Sequence, residues 1–529
     1  MTATTSPPNI LLVMVDELAP QATPIHGHPI VQAPHLARLA TQSVVFDNAY
    51  TNSPLCAPAR AVMLTGQLAP SIGAWDNASE LPASIPTLAH YLRHLGYETS
   101  LCGKMHFIGP DQLHGYEERL TTDIYPANFA WTANWSLPAD APNPAGISMR
   151  PVVEAGPCVR NMQIDYDDEV EYEAARKLYD LARRGEGARP FFLTVSFTQP
   201  HPPFVTDQRN WDRYANEEID LPRVPPIPLA EMDVASRSLY YNHRRDRYTI
   251  TDDHVRNARR AYYGMISCVD EKLGHLLAVL EETGQADNTV VVFTSDHGEM
   301  LGERGMWLKM TMFEYAVRIP LVIRYPGRMA ARRVARNVSL VDLLPTLLDI
   351  ASDGHPPQLA DRCDGRSMRR LLLTGADAGW PDTVISDFSA GGVPGPIRMV
   401  KRGAHKYIHL AGRDSLLFDL DSDPDELTNL AGTAAAGQLE AELSAIAFAG
   451  YDPIDVERQV RASQRRRLFI KGVDEQSAMA GNWSFVARPG DDARFVRGSG
   501  LAGGEHATKA RARYPYVEPA RETPPPGKA

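Results

Sequence analysis

The sequence predicts an α/β fold in which a mostly parallel sheet is sandwiched by helices, followed by a smaller antiparallel α+β domain and an extended C-terminal tail. Two observations predict this class. Short apolar, β-branched runs alternate with amphipathic segments in roughly the first 350 residues. After about Gly375 the pattern changes to short strand signals separated by Gly- and Asp-rich turns. The corresponding domain boundaries are 1–375, 376–450 and 451–529, with disorder expected over about the last twenty residues.

The individual elements follow from local signals. Ser84, an early proline and a closing Gly96 predict one helix over 84–96, and helical periodicity predicts helices over 252–282 and 339–350. Residues 107–157, rich in Trp, Pro and Asn, predict a loop excursion of the kind that lines binding sites. The predicted strands are 10–15, 44–46, 99–102, 191–197, 290–293 and 321–323 in the large domain, with short strands within 397–410 and 416–420 in the small one.

Composition and charge exclude several classes of function. A net charge of -11 argues against a nucleic-acid surface, because phosphate binding needs a basic face. No apolar run reaches the length of about 18 residues that a membrane span requires, and the N-terminus lacks the basic residues of a signal peptide. We therefore expect a cytoplasmic protein that acts on a small molecule. The five cysteines are scattered without Cys-x-x-Cys pairing, which predicts neither a disulfide framework nor a zinc site.

Polar side chains follow four of the predicted strands, at the sheet edge where α/β proteins build their sites. Each of them alone has an ordinary interpretation as a turn residue, a helix cap or a solvated charge, and the same holds for Arg60 and Lys309. Together they predict a divalent cation held by carboxylates and imidazole, with calcium, magnesium or manganese favoured over zinc, inside an anion pocket. The chemistry would be metal-assisted cleavage of an anionic ester. The strand-end residues are Asp16, Lys104, His106, His201, Asp296 and His297.

Cys56 lies just before a predicted helix that starts near Pro58. A helix N-terminus stabilises anions, so a thiolate is expected to be favoured at this position. A thiolate is nevertheless a soft ligand for a hard cation. From the residues alone, a small buried apolar cysteine remains an open alternative.

The motif Cys56-Ala-Pro-Ala-Arg60, followed by Leu64-Thr-Gly66, resembles the Cys-x-Pro-x-Arg signature of the sulfatases, members of the alkaline-phosphatase superfamily. The resemblance continues in order through the strand-end residues and Lys309 to about Leu430. Within the sulfatases, the sequence motifs most resemble those of choline sulfatases. That likeness rests on Asn52-Ser-Pro-Leu-Cys-Ala-Pro, Gly103-Lys-Met-His-Phe, Gly109-Pro-Asp-Gln-Leu-His-Gly115, Arg119-Leu-Thr-Thr-Asp-Ile-Tyr-Pro126 and Ala462-Ser-Gln-Arg-Arg-Arg467.

The resemblance implies a mechanism. Cys56 would be oxidised by a formylglycine-generating enzyme, and a hydroxyl of the hydrated formylglycine would attack the sulfur of a small sulfate ester. His106 would then deprotonate the second hydroxyl, so that the sulfate hemiacetal releases sulfate and restores the aldehyde. The family pattern assigns the remaining roles. The cation, with calcium expected, is held by Asp16, Asp296, His297 and position 56; Arg60 and Lys104 stabilise the nucleophile; His201 and Lys309 contact the sulfate and assist protonation of the leaving group.

Some positions leave the substrate open. The Asp296-His297 pair is shared by choline sulfatases and phosphonate monoester hydrolases, whereas Lys104 and His106 favour sulfate esters. Choline-O-sulfate is the favoured substrate, and other alkyl sulfates, aryl sulfates or phosphonate and phosphate monoesters are the alternatives. An unmodified Cys56 would instead indicate a non-catalytic protein that binds sulfate and metal. The residues aligned with the family's choline pocket are Asn77, Trp131 and Asp387, with Trp75 as a further candidate, and Ile147 replaces a histidine.

Two interpretations remain open at this stage. Trp131 is favoured as a face for a quaternary ammonium, with an ordinary loop anchor as the alternative. The match at 462–467 implies a homo-oligomer, dimer or tetramer, because the C-terminal segment of choline sulfatases reaches an adjacent subunit, whereas a solvated basic face explains Arg465 to Arg467 as well on composition.

Overall fold

The computed structural model describes residues 7–138, 141, 144–185, 187–410, 412, 415–477, 483–495 and 513–524. Its centre is an eight-stranded sheet with the strand order β11-β2-β10-β9-β1-β7-β3-β4. Two further two-stranded sheets pair β5 with β8 and β6 with β16. The strands are β1 Asn9–Val15, β2 Val44–Tyr50, β3 Glu98–Gly103, β4 Glu118–Arg119, β5 Gly156–Cys158, β6 Arg160–Asn161, β7 Phe191–Ser196, β8 Val205–Asp207, β9 Thr289–Ser295, β10 Arg318–Arg324, β11 Arg332–Ser339, β12 Thr383–Phe388, β13 Ile397–Arg402, β14 His405–Leu410, β15 Leu416–Asp419 and β16 Arg513–Tyr514.

The large sheet is parallel except at β10, which runs antiparallel to both of its neighbours. Strand β1 lies at its centre between β7 and β9, and its apolar side chains are buried on both faces, as continuous Ile, Leu and Val runs predict for a doubly covered sheet. Because β1, β3, β7 and β9 are mutually parallel, their carboxyl ends meet at one edge. All six predicted strands of the large domain are present.

Helices cover both faces of the sheet, and two hydrophobic clusters fill the layers between them. The predicted helix over 252–282 is confirmed as α9, whose N-terminus is closed by a capping box at Thr251. The helices are α1 Pro34–Ala40, α2 Cys56–Thr65, α3 Ala69–Ile72, α4 Leu88–His94, α5 Arg150–Val153, α6 Met162–Ala182, α7 Gln208–Asp212, α8 Val234–Asn242, α9 Asp252–Glu282, α10 Glu314–Val317, α11 Leu343–Ala351, α12 Arg369–Thr374, α13 Gly437–Ala447, α14 Pro453–Gln476 and α15 Asp491–Arg494.

Three helical segments differ from the sequence-based expectation. The helix expected from Ser84 begins only at Leu88, because Thr87 rather than Ser84 is the N-cap and accepts from the first turn. Helices α6 and α14 were not predicted. Both carry charged residues over most of their length, so the apolar stripe that marks a helix in the sequence is weak there.

A separate four-stranded antiparallel sheet, β12-β13-β14-β15, forms the smaller domain, and α13 packs on it. The predicted fold class is therefore confirmed, while the exact boundaries at 375 and 450 stay a prediction. The described part of the C-terminal tail contains packed residues: β16 pairs with β6, and Glu522 forms an ion pair with Arg244. The rest of the segment predicted to be disordered, 510–512 and 525–529, lies outside the described residues. None of the described helices combines the length and apolar character needed to cross a bilayer.

Candidate active site

Four side chains converge at the carboxyl edge of the large sheet. Asp16 directly follows β1, Asp296 and His297 follow β9, and Cys56 is the first residue of α2. One ligand atom from each lies within 4.8 Å of those of the other three, and all four residues are buried. The Cys56 Sγ is 3.2 Å from His297 Nε2 and 3.6 Å from Asp16 Oδ1. These four residues are the ones that the sequence analysis predicted as cation ligands, and they could hold a metal ion.

The orientation of these donors fits a divalent cation. His297 Nδ1 donates to the carbonyl of Gly298 at 3.0 Å, which leaves the lone pair of Nε2 facing the cluster. The Oδ1 atoms of Asp16 and Asp296 each lie 3.8 Å from that Nε2. Their Oδ2 atoms turn away and accept from Lys104 and Arg60 respectively. Each carboxylate therefore offers one oxygen to a cation and is oriented through the other.

The electrostatics keep both carboxylates charged. Burial alone would raise the pKa of Asp296, but the neighbouring His297 and Arg60 outweigh it and hold that pKa well below the usual range. The pKa of Asp16 is also lowered, because Lys104, His201 and Arg60 together outweigh burial and the Asp296 charge. The cluster thus presents two ionised oxygen ligands, which hard cations prefer.

The thiol of Cys56 behaves differently from the sequence-based expectation. Burial, reinforced by the Asp16 charge, raises its pKa to about 12. Burial therefore opposes the thiolate that was expected at the N-terminus of α2. With a side chain only 1% exposed, Cys56 is a neutral thiol at the centre of an oxygen- and nitrogen-rich cluster.

Arg60 and Lys104 form a buried cationic wall beside this cluster. Besides its bond to Asp296, Arg60 donates through one terminal nitrogen to the Lys104 carbonyl at 2.7 Å and to Ser196 Oγ at 2.8 Å. Its other terminal nitrogen is buried and has no hydrogen-bond partner in the described part of the chain. The Lys104 ammonium lies 4.1 Å from the ring centroid of Tyr125. These cations suit an anionic group that would add the missing acceptor.

His106 lies above the cluster in an aromatic setting. Its ring stacks on Tyr125 with centroids 4.4 Å apart and meets the edge of Trp131 at 5.7 Å. Its φ of 61° is stabilised by Asp123, which accepts from the His106 backbone N–H at 2.9 Å. Burial, assisted by Lys104, holds its pKa well below the usual value, so the imidazole is neutral. Neither ring nitrogen has a partner among the described residues, which leaves the ring able to accept a proton.

His201 and Lys309 are the last two of the residues predicted to handle the cation or the sulfate. His201 Nδ1 donates to the Pro202 carbonyl at 2.6 Å, and its Nε2 lies 2.9 Å from Lys309 Nζ and 3.2 Å from the Tyr125 hydroxyl. The Lys309 ammonium also donates to Glu17 Oε2. The residues predicted for the cation and for sulfate handling thus lie together in one buried site.

Comparison with known proteins agrees with this geometry. The sulfatase family matches residues 8–353, and the family described as N-sulphoglucosamine sulphohydrolase, C-terminal, matches residues 302–447. A choline-sulfatase of Rhizobium meliloti (strain 1021) is 42% identical over 472 residues, which cover 88% of this chain and 91% of that protein. The chain belongs to the sulfatase family.

Two further similarities show how widely this fold is used. The arylsulfatase K of Mus musculus is 30% identical to this sulfatase over 448 residues, covering 80% of this chain and 76% of that protein. The crystal structure of a phosphonate monoester hydrolase from Agrobacterium radiobacter superposes with a TM-score of 0.66 at 25% identity, covering 86% of this chain and 96% of that chain. Fold alone therefore does not select the ester that a member cleaves.

The residues predicted for the leaving-group pocket of this sulfatase are less closely associated with the cation cluster. Asn77 lies close to Cys56 along the chain, since its Oδ1 accepts from the Ala57 N–H at 3.0 Å. Trp131 contacts His106 and Tyr125, and its buried indole N–H has no partner among the described residues. Asp387, on β12, uses both carboxylate oxygens to bind Arg398. No described hydrogen bond or ion pair joins Asp387 to the cation cluster.

Two pocket candidates at the margin have mainly apolar contacts. Trp75 packs with Tyr451, Val456 and Val460 in a small buried cluster. Ile147 is partly buried and packs against two apolar clusters, where a histidine was expected from the family. Neither side chain carries a charge that a substrate could use.

Helix α14 of the same chain anchors the loop that carries Trp131. Gln464 Oε1 accepts from the Trp135 N–H at 2.9 Å, and Lys471 Nζ donates to the Ala130 carbonyl at 3.0 Å. Arg467 forms a buried bidentate ion pair with Asp76, next to Asn77, at 2.6 and 3.0 Å. Arg467 is thus engaged within its own chain, whereas Arg465 and Arg466 are exposed.

The sequence analysis missed three side chains of the site. Tyr125 stands inside the motif 119–126 that resembles choline sulfatases, but nothing local assigns its ring to His106 and Lys104. Glu17 directly follows Asp16, and Ser196 ends β7, so strand-end position was the available signal for both.

All five cysteines are free of disulfide bonds.

Proposed function

We propose that this sulfatase hydrolyses a small organic sulfate ester to sulfate and an alcohol, using an oxygen nucleophile made by oxidation of Cys56 to formylglycine. The observation that carries the proposal is the position of the Cys56 side chain, which lies among the cation ligands Asp16, Asp296 and His297. A thiol is a poor match for that donor set, and an oxygen function on the same carbon matches it. Oxidation would be carried out by a formylglycine-generating enzyme.

A divalent cation bound by Asp16, Asp296 and His297 would supply positive charge that acidifies a hydroxyl at position 56 and offsets the charge of the sulfate. We propose calcium because the ligands are mainly carboxylate oxygens, with manganese and magnesium as alternatives. The donor atoms fit such an ion as the lone pair of His297 Nε2 and two carboxylate oxygens face one point.

The surrounding residues provide charge stabilisation and proton transfer. Arg60 and Lys104 stabilise negative charge on the nucleophile, because both are fully buried cations beside it. Lys309 and His201 bind the sulfate and provide the proton that the departing oxygen needs. His106, held neutral by burial, accepts the proton whose loss releases sulfate and regenerates the aldehyde.

For the alcohol we propose choline. The support is the 42% identity to a choline-sulfatase and the aromatic ring of Trp131 next to His106. A quaternary ammonium binds the face of such a ring. A second candidate, an aryl sulfate, is favoured by one observation: Arg398 already neutralises Asp387, so the carboxylate expected beside the ammonium is occupied.

Two measurements test the proposal. Mass spectrometry of the tryptic peptide that contains residue 56 should show a loss of about 18 Da in protein from a host with the maturation enzyme, because the aldehyde replaces the thiol. An unmodified peptide would instead support the non-catalytic binding protein. Specificity constants for choline-O-sulfate, 4-nitrophenyl sulfate and a phenyl phosphonate monoester should favour a sulfate. A higher value for the phosphonate would refute sulfate ester hydrolysis as the main activity.

The oligomer and the compartment belong to the same proposal. We expect a cytoplasmic homo-oligomer, dimer or tetramer, that uses the C-terminal segment. Ile454, Phe469 and Val473 on α14 support an interface there, since all three are at least half exposed. Light scattering coupled to size-exclusion chromatography measures the mass, and a monomer of 58.4 kDa would contradict the expectation.

A further inference from the structure

Glu17 is a buried carboxylate that neither the cation cluster nor the proposed chemistry uses. It directly follows Asp16, and its side chain has no exposed surface. Its Oε2 accepts from Lys309 Nζ and lies 3.3 Å from His201 Nε2. It therefore contacts both members of the pair to which we assign protonation of the leaving group.

The backbone of Glu17 adopts an unusual conformation. Its φ of 68° is in the left-handed region, which residues other than Gly, Asn and Asp rarely adopt. Two hydrogen bonds fix it there: its N–H donates to Asp296 Oδ1 at 3.1 Å, and its carbonyl accepts from Tyr262 at 2.7 Å. Strained residues cluster where function needs one geometry. The strained backbone connects a cation ligand with the carboxylate that binds Lys309.

A second cation site is the other use to which these residues could be put. Asp16, Glu17 and His201 also bring ligand atoms within 4.8 Å of one another. The Lys309 ammonium already donates to Glu17 Oε2 and lies 2.9 Å from His201 Nε2, however, so two of the three possible donors are engaged. A cation would have to displace this ammonium, which leaves the positioning of Lys309 as the role of Glu17.

We propose that Glu17 is a positioning residue for leaving-group protonation, acting through Lys309 and His201. This inference rests on the proposed function. In the described part of the chain the hydrogen-bond partners of the Lys309 ammonium are Glu17 and His201. Glu17 thus holds the Lys309 ammonium, which lies 2.9 Å from His201 Nε2.

The test compares two substrates of similar shape whose leaving groups differ in basicity. Phenyl sulfate releases the more basic oxygen and depends more on protonation than 4-nitrophenyl sulfate. In Glu17→Gln, which keeps the shape but removes the charge, we expect kcat to fall by about 100-fold or more for phenyl sulfate and by less than about 10-fold for 4-nitrophenyl sulfate. Glu17→Asp, which keeps the charge but withdraws it by one methylene, should show the same order with a smaller difference.

Glu303→Gln is the matched control. Glu303 is also buried, and its carboxylate accepts from the backbone of Arg223 and Val224 at 3.0 and 2.8 Å, away from the cation cluster. It should leave the ratio of the two kcat values unchanged even if it lowers stability. A crystal structure of Glu17→Gln should show the Lys309 ammonium displaced from His201.

The outcomes separate the inference from the function on which it rests. Equal losses on both substrates, or no loss on either, in folded Glu17→Gln would overturn the positioning role alone. If Glu17→Gln does not fold, an unchanged substrate ratio in Glu17→Asp overturns it instead. Wild-type protein with formylglycine and metal that cleaves neither sulfate would overturn the proposed function and the inference together.

Discussion

Asp387 and Arg398 face each other across two antiparallel strands and form a buried bidentate ion pair. Nε of the arginine lies 2.7 Å from Oδ1 and a terminal nitrogen lies 2.9 Å from Oδ2. The guanidinium also stacks 3.6 Å from the ring centroid of Tyr451 and donates to the Ala447 carbonyl at 3.1 Å. The negative charge expected to attract a cationic alcohol is therefore cancelled within the protein.

Removing this arginine should free the carboxylate. In Arg398→Leu we expect the ratio of kcat/KM for choline-O-sulfate to that for 4-nitrophenyl sulfate to rise about tenfold, because an unpaired carboxylate favours a cation. The variant should also lose about 3–5 kcal/mol of stability, since one buried charge stays behind. The double variant Asp387→Asn/Arg398→Leu is the control and should keep the wild-type ratio. An unchanged ratio in the folded single variant would exclude Asp387 from substrate selection.

Trp131 should contribute to binding through its ring. Trp131→Ala is expected to raise KM for choline-O-sulfate by roughly 3- to 30-fold, the range of a cation–π contact, and KM for 4-nitrophenyl sulfate by less. Trp131→Phe keeps an aromatic face and should lie between the two. Because the indole also contacts His106, kcat is to be measured separately from KM. Equal KM changes on both substrates would remove choline as the favoured alcohol.

Asp296 should be required for the metal as well as for turnover. Asp296→Asn removes a charged oxygen ligand and one partner of Arg60, so bound metal measured by mass spectrometry and hydrolysis of 4-nitrophenyl sulfate should both fall to background. Asp270→Asn is the matched control: Asp270 is also buried, and it accepts from the backbone of His35 and Leu36 on α1. Full metal content with retained activity in Asp296→Asn would refute its assignment as a ligand.

The buried pair between Arg467 and Asp76 should stabilise the docking of α14. Arg467→Met is expected to cost about 3–5 kcal/mol, because Asp76 is left charged and buried. Arg466→Met, one residue away on the exposed side of α14, should change stability by less than about 0.5 kcal/mol. Thermal unfolding of the three proteins measures the difference. Similar melting temperatures for both variants would show that α14 is not held by this pair.

The lowered pKa of the buried His243 predicts that the protein loses stability in acid. Burial, with Lys309 nearby, lowers its pKa to about 3 in the folded protein, below the value of about 6.5 in an unfolded chain. Its contribution to stability is present above pH 6.5 and is lost as the pH falls toward 3, by about 1.4 kcal/mol per pH unit. The melting temperature should fall between pH 7 and pH 5, and less so in His243→Gln. The exposed His355, changed to Gln, should leave the drop as in wild type.

The clustering of the candidate cation ligands was predictable because these residues lie at strand ends. Asp16, Asp296 and His297 each follow a continuous apolar run, and parallel strands bring such positions together whatever the loops between them do. The family signature then added Cys56 and Arg60 to the same predicted site, and the wider resemblance added Lys309. Residues whose position depends only on strand order and a short motif are therefore accessible to sequence reasoning.

Other features depended on geometry that no local pattern encodes. The orientation of Glu17 follows from a φ of 68°, and the ring of Tyr125 reaches His106 from within an irregular loop. The pairing of Asp387 with Arg398 requires the register of a hairpin whose strands are separated by eight residues. The thiol of Cys56 illustrates a different limit: the helix end was visible in the sequence, but the depth of burial that overrides it was not.

The position of α14 late in the sequence also means that its contacts form only after most of the chain has been synthesised. Its contacts with Asp76 and with residues 130–135 join parts of the chain more than 300 residues apart, and they complete a fold in which Cys56 is 1% exposed. A ribosome adding about 5–20 residues per second needs roughly 20–80 s to pass from the cysteine to this helix. The proposed oxidation of Cys56 needs a reachable side chain, so that interval is its opportunity. The speed of translation, and not only the supply of maturation enzyme, should therefore set the fraction of active molecules.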